Sequence, residues 1–171
     1  KNMTNMKPVS LRDVVAALDM ASDTLSSYLN RKTGEVVSLT EDIMMMAQDE
    51  EDLYDVPEWA REEVLRAREV MDSDDCIGLP GRYEIDEYRI MESFCYSLED
   101  EGLKEDLLYA IEGRGAFRRF RDTIHRRGIE KDWYKYHDGQ LKEIAADWLE
   151  ANGIPFIDND TPAPGPSADK S

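Results

Sequence analysis

The chain has 171 residues, of which 41% are hydrophobic and 35% charged, with 38 acids against 21 lysines and arginines for a net charge of −17 and a pI near 4.4. That is enough for one hydrophobic core and too little for two comfortable ones. So acidic a surface repels nucleic acid and anionic membrane over most of its extent, and no apolar run approaches the roughly 18 residues of a membrane span.

At the N-terminus, KNMTNMKPVS has no apolar core of a signal peptide. Its first residue is Lys, so the sequence is expected to begin inside a longer encoded one, and the protein is expected to be cytoplasmic. Ser10 with Asp13, ahead of Leu11, Val14, Val15 and Leu18 at helical spacing, predicts a capped amphipathic helix. SSYLN and EVVSLT, joined through Gly34, predict a hairpin over residues 26–39, and CIGLP predicts a third strand over 76–79, ended by Pro80. Thr40 is placed to cap a helix through the methionine run, and Pro57 to start another reaching residue 71. Asp86 caps the next, with Tyr88, Met91, Phe94, Cys95 and Leu98 on one face; Leu103, Leu107 and Ile111 mark a further helix stopped at Gly113. A helix over the arginine segment ends at Gly128, and Trp133, Leu141, Ile144, Ala145, Trp148 and Leu149 belong to a last helical region ended by Asn152 and Gly153. The expected fold class is α+β: a mainly helical single domain over residues 1–157 around one core, with a small three-stranded antiparallel sheet. Residues 158–171, rich in Pro and acids, are expected to be disordered because burial cannot offset the entropy of ordering them.

The cysteines, Cys76 and Cys95, form no CxxC pair and are expected to be reduced and buried. With two histidines the chain lacks a zinc ligand set. An EF-hand started at Asp72 fails, because Ile77 falls where glycine is required and Tyr83 where the bidentate glutamate belongs. GxSxG, GxxxxGK[ST], HExxH and GxGxxG are absent, so no catalytic residue, metal or cofactor is assigned.

The informative segment is Gly113–Gly128, GRGAFRRFRDTIHRRG. Six of the thirteen arginines and a single acid, Asp122, give it a formal charge of +5, leaving −22 on the rest of the chain. At about 100° per residue, Arg114, Arg118, Arg121 and His125 form one stripe, and Phe117, Phe120 and Ile124 form a neighbouring one expected to enter the core. The glycine-framed helix start at Gly113 and Gly115 offers backbone N–H groups and the positive end of the helix dipole. Gly113, Arg114, Gly115, Arg118, Arg121 and His125 are therefore the candidate site for an anionic ligand or an unknown acidic protein partner. The competing reading spends these arginines on internal carboxylates, of which the chain has many. Aromatics at Trp59, Trp133, Tyr134, Tyr136 and Trp148 add RNA binding as an alternative, disfavoured by the net charge; their helical spacing is that of core and core-edge positions, and the tryptophans are expected in the core. An enzyme with an unrecognised acidic site is the third alternative. No oligomeric state is read.

SLRDVVAAL, YLNRKTGEVV, LPGRYEIDEYRIMESF, GRGAFRRFRD, DWY and EIAADWLEANGI together resemble the bacterial Uncharacterised Protein Family 0158 over about residues 8–157. The resemblance implies a small bacterial cytoplasmic protein of mixed helix and hairpin, with no established activity and no catalytic residue to carry over.

Overall fold

In the computed structural model, residues 7–49 and 53–158 are described. The helix predicted from Ser10 is α1 (Leu11–Met20); Ser10 occupies its N-cap with extended backbone, but its side chain accepts no capping hydrogen bond. It follows β1 (Val9–Ser10) and precedes the hairpin of β2 (Leu25–Asn30) and β3 (Val36–Thr40). Gly34 closes that hairpin at a φ of 77°, a conformation costly for any side chain. Thr40 caps α2 (Glu41–Gln48) by accepting the Ile43 amide at 3.3 Å. A 3₁₀ turn at Glu58–Ala60, begun by Pro57, leads into α3 (Arg61–Asp72), whose buried side is Val64, Ala67 and Val70.

β4 (Cys76–Gly78) adds antiparallel to β2, giving the order β3-β2-β4. The short helix α4 (Arg82–Ile85) ends at Asp86, which takes a φ of 56° and caps α5 (Glu87–Ser97) through the Arg89 amide. Asp100 caps α6 (Glu101–Ala110) by accepting from Leu103. α7 (Ala116–Arg126) and α8 (Glu130–Ala151) follow, and β5 (Phe156–Ile157) pairs parallel with β1.

The fold is α+β, as the residue pattern predicts, but the buried side chains form three clusters where one core was expected. The pleat explains two of them, because successive side chains of a strand face opposite sides. Leu29, Val36 and Ile77 face a cluster built from α1 and α8, including Leu18, Leu141 and Leu149. Tyr28, Val37, Leu39 and Cys76 face one built from α2 and α3, including Ile43, Val64 and Ala67. The sheet is thus the wall between them. Past α8 a third cluster joins Phe94, Cys95, Leu107, Phe120 and Ile124 of α5, α6 and α7; Trp133 and Tyr136 pack against both it and the first. Cys95 is fully buried there and Cys76 only half-buried in the second cluster, so the two thiols stay free and apart. Trp59, expected in the core, is 71% exposed. Asp158, assigned to the tail, is still held by Lys142 at 3.0 Å; the remainder of the tail, 159–171, lies outside the described residues.

Candidate functional site

α7 begins where the sequence places its start. Gly113 and Gly115 have φ values of 72° and 75°, and Gly128, at 69°, ends the helix. The six arginines of the segment then divide according to the side of α7 they occupy. Arg119 turns back beneath the α6–α7 loop and donates to three main-chain carbonyls, through Nε to Ala110 at 2.9 Å and through its two terminal nitrogens to Arg114 and Glu112. Arg127 pairs with Asp106 of α6. Both are architectural, fastening α7 to the helix before it.

Arg114, Arg118, Arg121 and Arg126 are exposed, and among the described residues none of them makes an ion pair or side-chain hydrogen bond. His125 is exposed too, with Nδ1 at 2.9 Å from Glu130 Oε2. Of the stripe read from the sequence, Arg118 and His125 point away from the core and Arg114 precedes the helix in the loop. Arg121 lines a concavity. Phe117, expected in the core with Phe120 and Ile124, is 46% exposed while those two are buried. It sits one helical turn before Arg121, on the border that α7 presents to α8.

That border is a groove of about 670 Å³ between α5, α7, α8 and the end of α1. Phe117, Phe120, Trp133 and Tyr134 give it an aromatic lining, and Arg121 and Lys135 give it cations. The rings are tightly organised, with Phe120 edge-on to Trp133 at 4.7 Å and Phe94 edge-on to Trp133 at 5.3 Å between centroids. At its base, His137 Nε2 lies 2.9 Å from Glu87 on α5, and Nδ1 lies 3.9 Å from Asp19 on α1. The hydrogen bond to Glu87 raises the imidazole pKa above its ordinary value; burial opposes this, and the charges of Glu87, Asp19 and Asp138 reinforce it. With a carboxylate facing each ring nitrogen, His137 is a pin between three helices whose protonated form is favoured. Sequence reasoning missed it, because Glu87 and His137 are 50 positions apart and neither belongs to a local motif.

Among the described residues no helix is long and apolar enough to cross a membrane. No solved structure matches the chain. A curated relative, UPF0158 protein PA5073 of Pseudomonas aeruginosa, is 32% identical over 66 residues, which is 38% of this chain and 43% of the relative, so less than half of that protein's length is spanned. The profile of the Uncharacterised protein family (UPF0158) matches residues 6–169, nearly the whole chain including every element of the fold, and the chain belongs to that family.

Proposed function

We propose that the protein is a cytoplasmic, non-enzymatic docking module that binds an acidic segment of a protein partner on the outer face of α7. The observation that carries this reading is the set of arginines 114, 118, 121 and 126, left without internal partners in a chain of net charge −17. Where internal carboxylates are this abundant, unspent guanidiniums clustered on one helix and the loop before it favour an anionic partner. The adjoining groove supplies the apolar component, since exposed Phe117 and Tyr134 lie beside Arg121 and Lys135 and can seat one aromatic side chain of the bound segment. Gly113 and Gly115 hold Arg114 in the loop that leads into this face.

The test is the double variant Arg118→Glu and Arg121→Glu, checked for native circular dichroism and then titrated with a glutamate-rich peptide carrying one phenylalanine. Affinity is expected to fall by on the order of tenfold or more, and partners co-purified with the wild type are expected to be lost. Unchanged affinity and an unchanged partner set would remove the basis of the reading. Single-stranded RNA is a second reading, favoured by the same exposed Phe117 and Tyr134 beside two cations. Titration with oligouridylate separates the two, since RNA binding requires saturable affinity falling steeply with salt.

A further inference from the structure

The far side of the molecule carries a different surface. β3 is the outer strand of the sheet, and its register fixes which of its main-chain groups are used. Asn30 donates to the Glu35 carbonyl and Glu41 to the Thr24 carbonyl, each at 2.9 Å, at the two ends of the hairpin. Hydrogen-bonded and non-bonded pairs alternate along an antiparallel ladder, so between those ends the bonded pairs are Tyr28 with Val37 and Ser26 with Leu39. The N–H and C=O groups of Val36 and Ser38 therefore point outward, to the free edge. Among the described residues no strand pairs with that edge.

Edges are ordinarily blunted by brevity, proline or inward charge. β4, on the opposite side, is three residues long and is followed closely by Pro80. β3 reads VVSLT and has none of these devices. Beside it runs a groove of about 500 Å³, walled by Val36–Thr40 and Ile43 on one side and by Trp59, Glu62, Glu63 and Arg66 on the other. Those four positions follow i, i+3, i+4, i+7 and form a single stripe facing the strand across the groove. Trp59 is 71% exposed, and Arg66 is answered by Glu35 at 3.6 Å, so the charge left on the wall is that of Glu62 and Glu63.

We propose that this edge is a second docking site, at which an extended basic peptide adds to β3 as a fourth strand. Its main chain pairs with the outward groups of Val36 and Ser38, and its alternate side chains lie against Trp59 and the two glutamates. A lysine or arginine over Trp59 gains a cation–π contact, and the next finds carboxylates. Charge selects this occupant over a second copy of the chain, which would bring its own Glu62 and Glu63 and a further net charge of −17 against the same wall. The site is independent of the α7 face and selects the opposite charge.

The test uses the full chain and a fluorescein-labelled octapeptide of alternating lysine and valine, followed by anisotropy. Two N-methylated versions carry the methyl groups on one or the other set of alternate residues. Strand addition predicts that one version loses about tenfold or more in affinity, through lost main-chain bonds, while the other binds as the parent does. It also predicts that Glu62→Lys with Glu63→Lys weakens the lysine peptide to a similar degree and that a glutamate–valine peptide does not bind the wild type. Equal binding of both methylated versions would reduce the contact to charge alone and overturn the proposal, as would failure of the parent to bind. A concentration-dependent dimer that the peptide displaces would assign the edge to a second copy and overturn it equally.

Discussion

At the scale of single residues, six arginines that look alike in the sequence have unlike roles. Arg119 satisfies carbonyls of Ala110, Glu112 and Arg114, at the end of α6 and in its loop, where a helix leaves acceptors unpaired and its dipole favours a cation. The flanking turns at Gly113 and Gly115 allow the chain to converge on that guanidinium. Removing it leaves three acceptors without their donor, so Arg119→Ala is expected to cost about 2 kcal/mol in urea denaturation. Arg119→Lys should recover little of this, because an ammonium on a flexible stem does not reproduce a planar fork. Arg118→Ala, one position away but facing solvent, is expected to stay within about 0.5 kcal/mol of the wild type. A wild-type midpoint for Arg119→Ala would show that the clamp contributes nothing. Helical periodicity sets Arg119 off the stripe that holds Arg118, but it records only which side of the helix a residue is on and not that a loop folds under it.

At the scale of elements, α8 is the spine: its 22 residues, about 33 Å of helix, pack along α1 on one side and against α5 and α7 on the other. His137 ties α8 to both neighbours through Glu87 and Asp19. In the folded chain the imidazole keeps its proton to higher pH than in the unfolded chain, where it is released near pH 6.5. The stabilisation is therefore complete below about pH 6.5 and is lost as pH rises through the folded value. The denaturation midpoint of the wild type is expected to fall between pH 6 and 8, and that of His137→Gln to stay flatter over the same range; equal slopes would acquit the pin. The range stops there because the Cys95 thiol, pushed by burial up to about 11, adds a second loss once the unfolded thiol begins to ionise. The elements themselves were largely legible, since Thr40, Asp86, Gly34 and Gly128 act locally as caps and stops. What joins them was not. β1 and β5 are two residues each and pair across nearly the whole chain, too short for any period to announce. Nor does the apolar face of a helix name what it will face, which is why the pattern predicts one core where there are three clusters and an inward Phe117 at the margin of its stripe.

At the scale of the molecule, charge is distributed so that one perturbation is expected to act on folding and on the proposed binding in opposite directions. The 16 residues from Gly113 to Gly128 hold +5, and −22 is spread over the remainder. Self-repulsion among those acids destabilises the compact state, and salt screens it over a distance of about 10 Å at 0.1 M. Raising ionic strength from low to physiological is therefore expected to raise the thermal midpoint. On the function proposed above, the α7 face binds by attraction between the exposed Arg114, Arg118, Arg121 and Arg126 and an acidic segment, so the same salt is expected to weaken binding of the glutamate-rich peptide. Measured together on one preparation, stability rising while affinity falls is the signature of a charge-segregated chain with a functional cationic face. If affinity held steady while the midpoint rose, repulsion would be real but the arginines would not be what the peptide sees. A midpoint falling with salt would mean that the fold depends on surface ion pairs such as Arg82 with Asp23, 3.1 Å apart and exposed, more than it suffers from its net charge. Such pairs contribute at most about 1 kcal/mol each, too little to outweigh a formal excess of 17 negative charges, and this is the ground for expecting stability to rise.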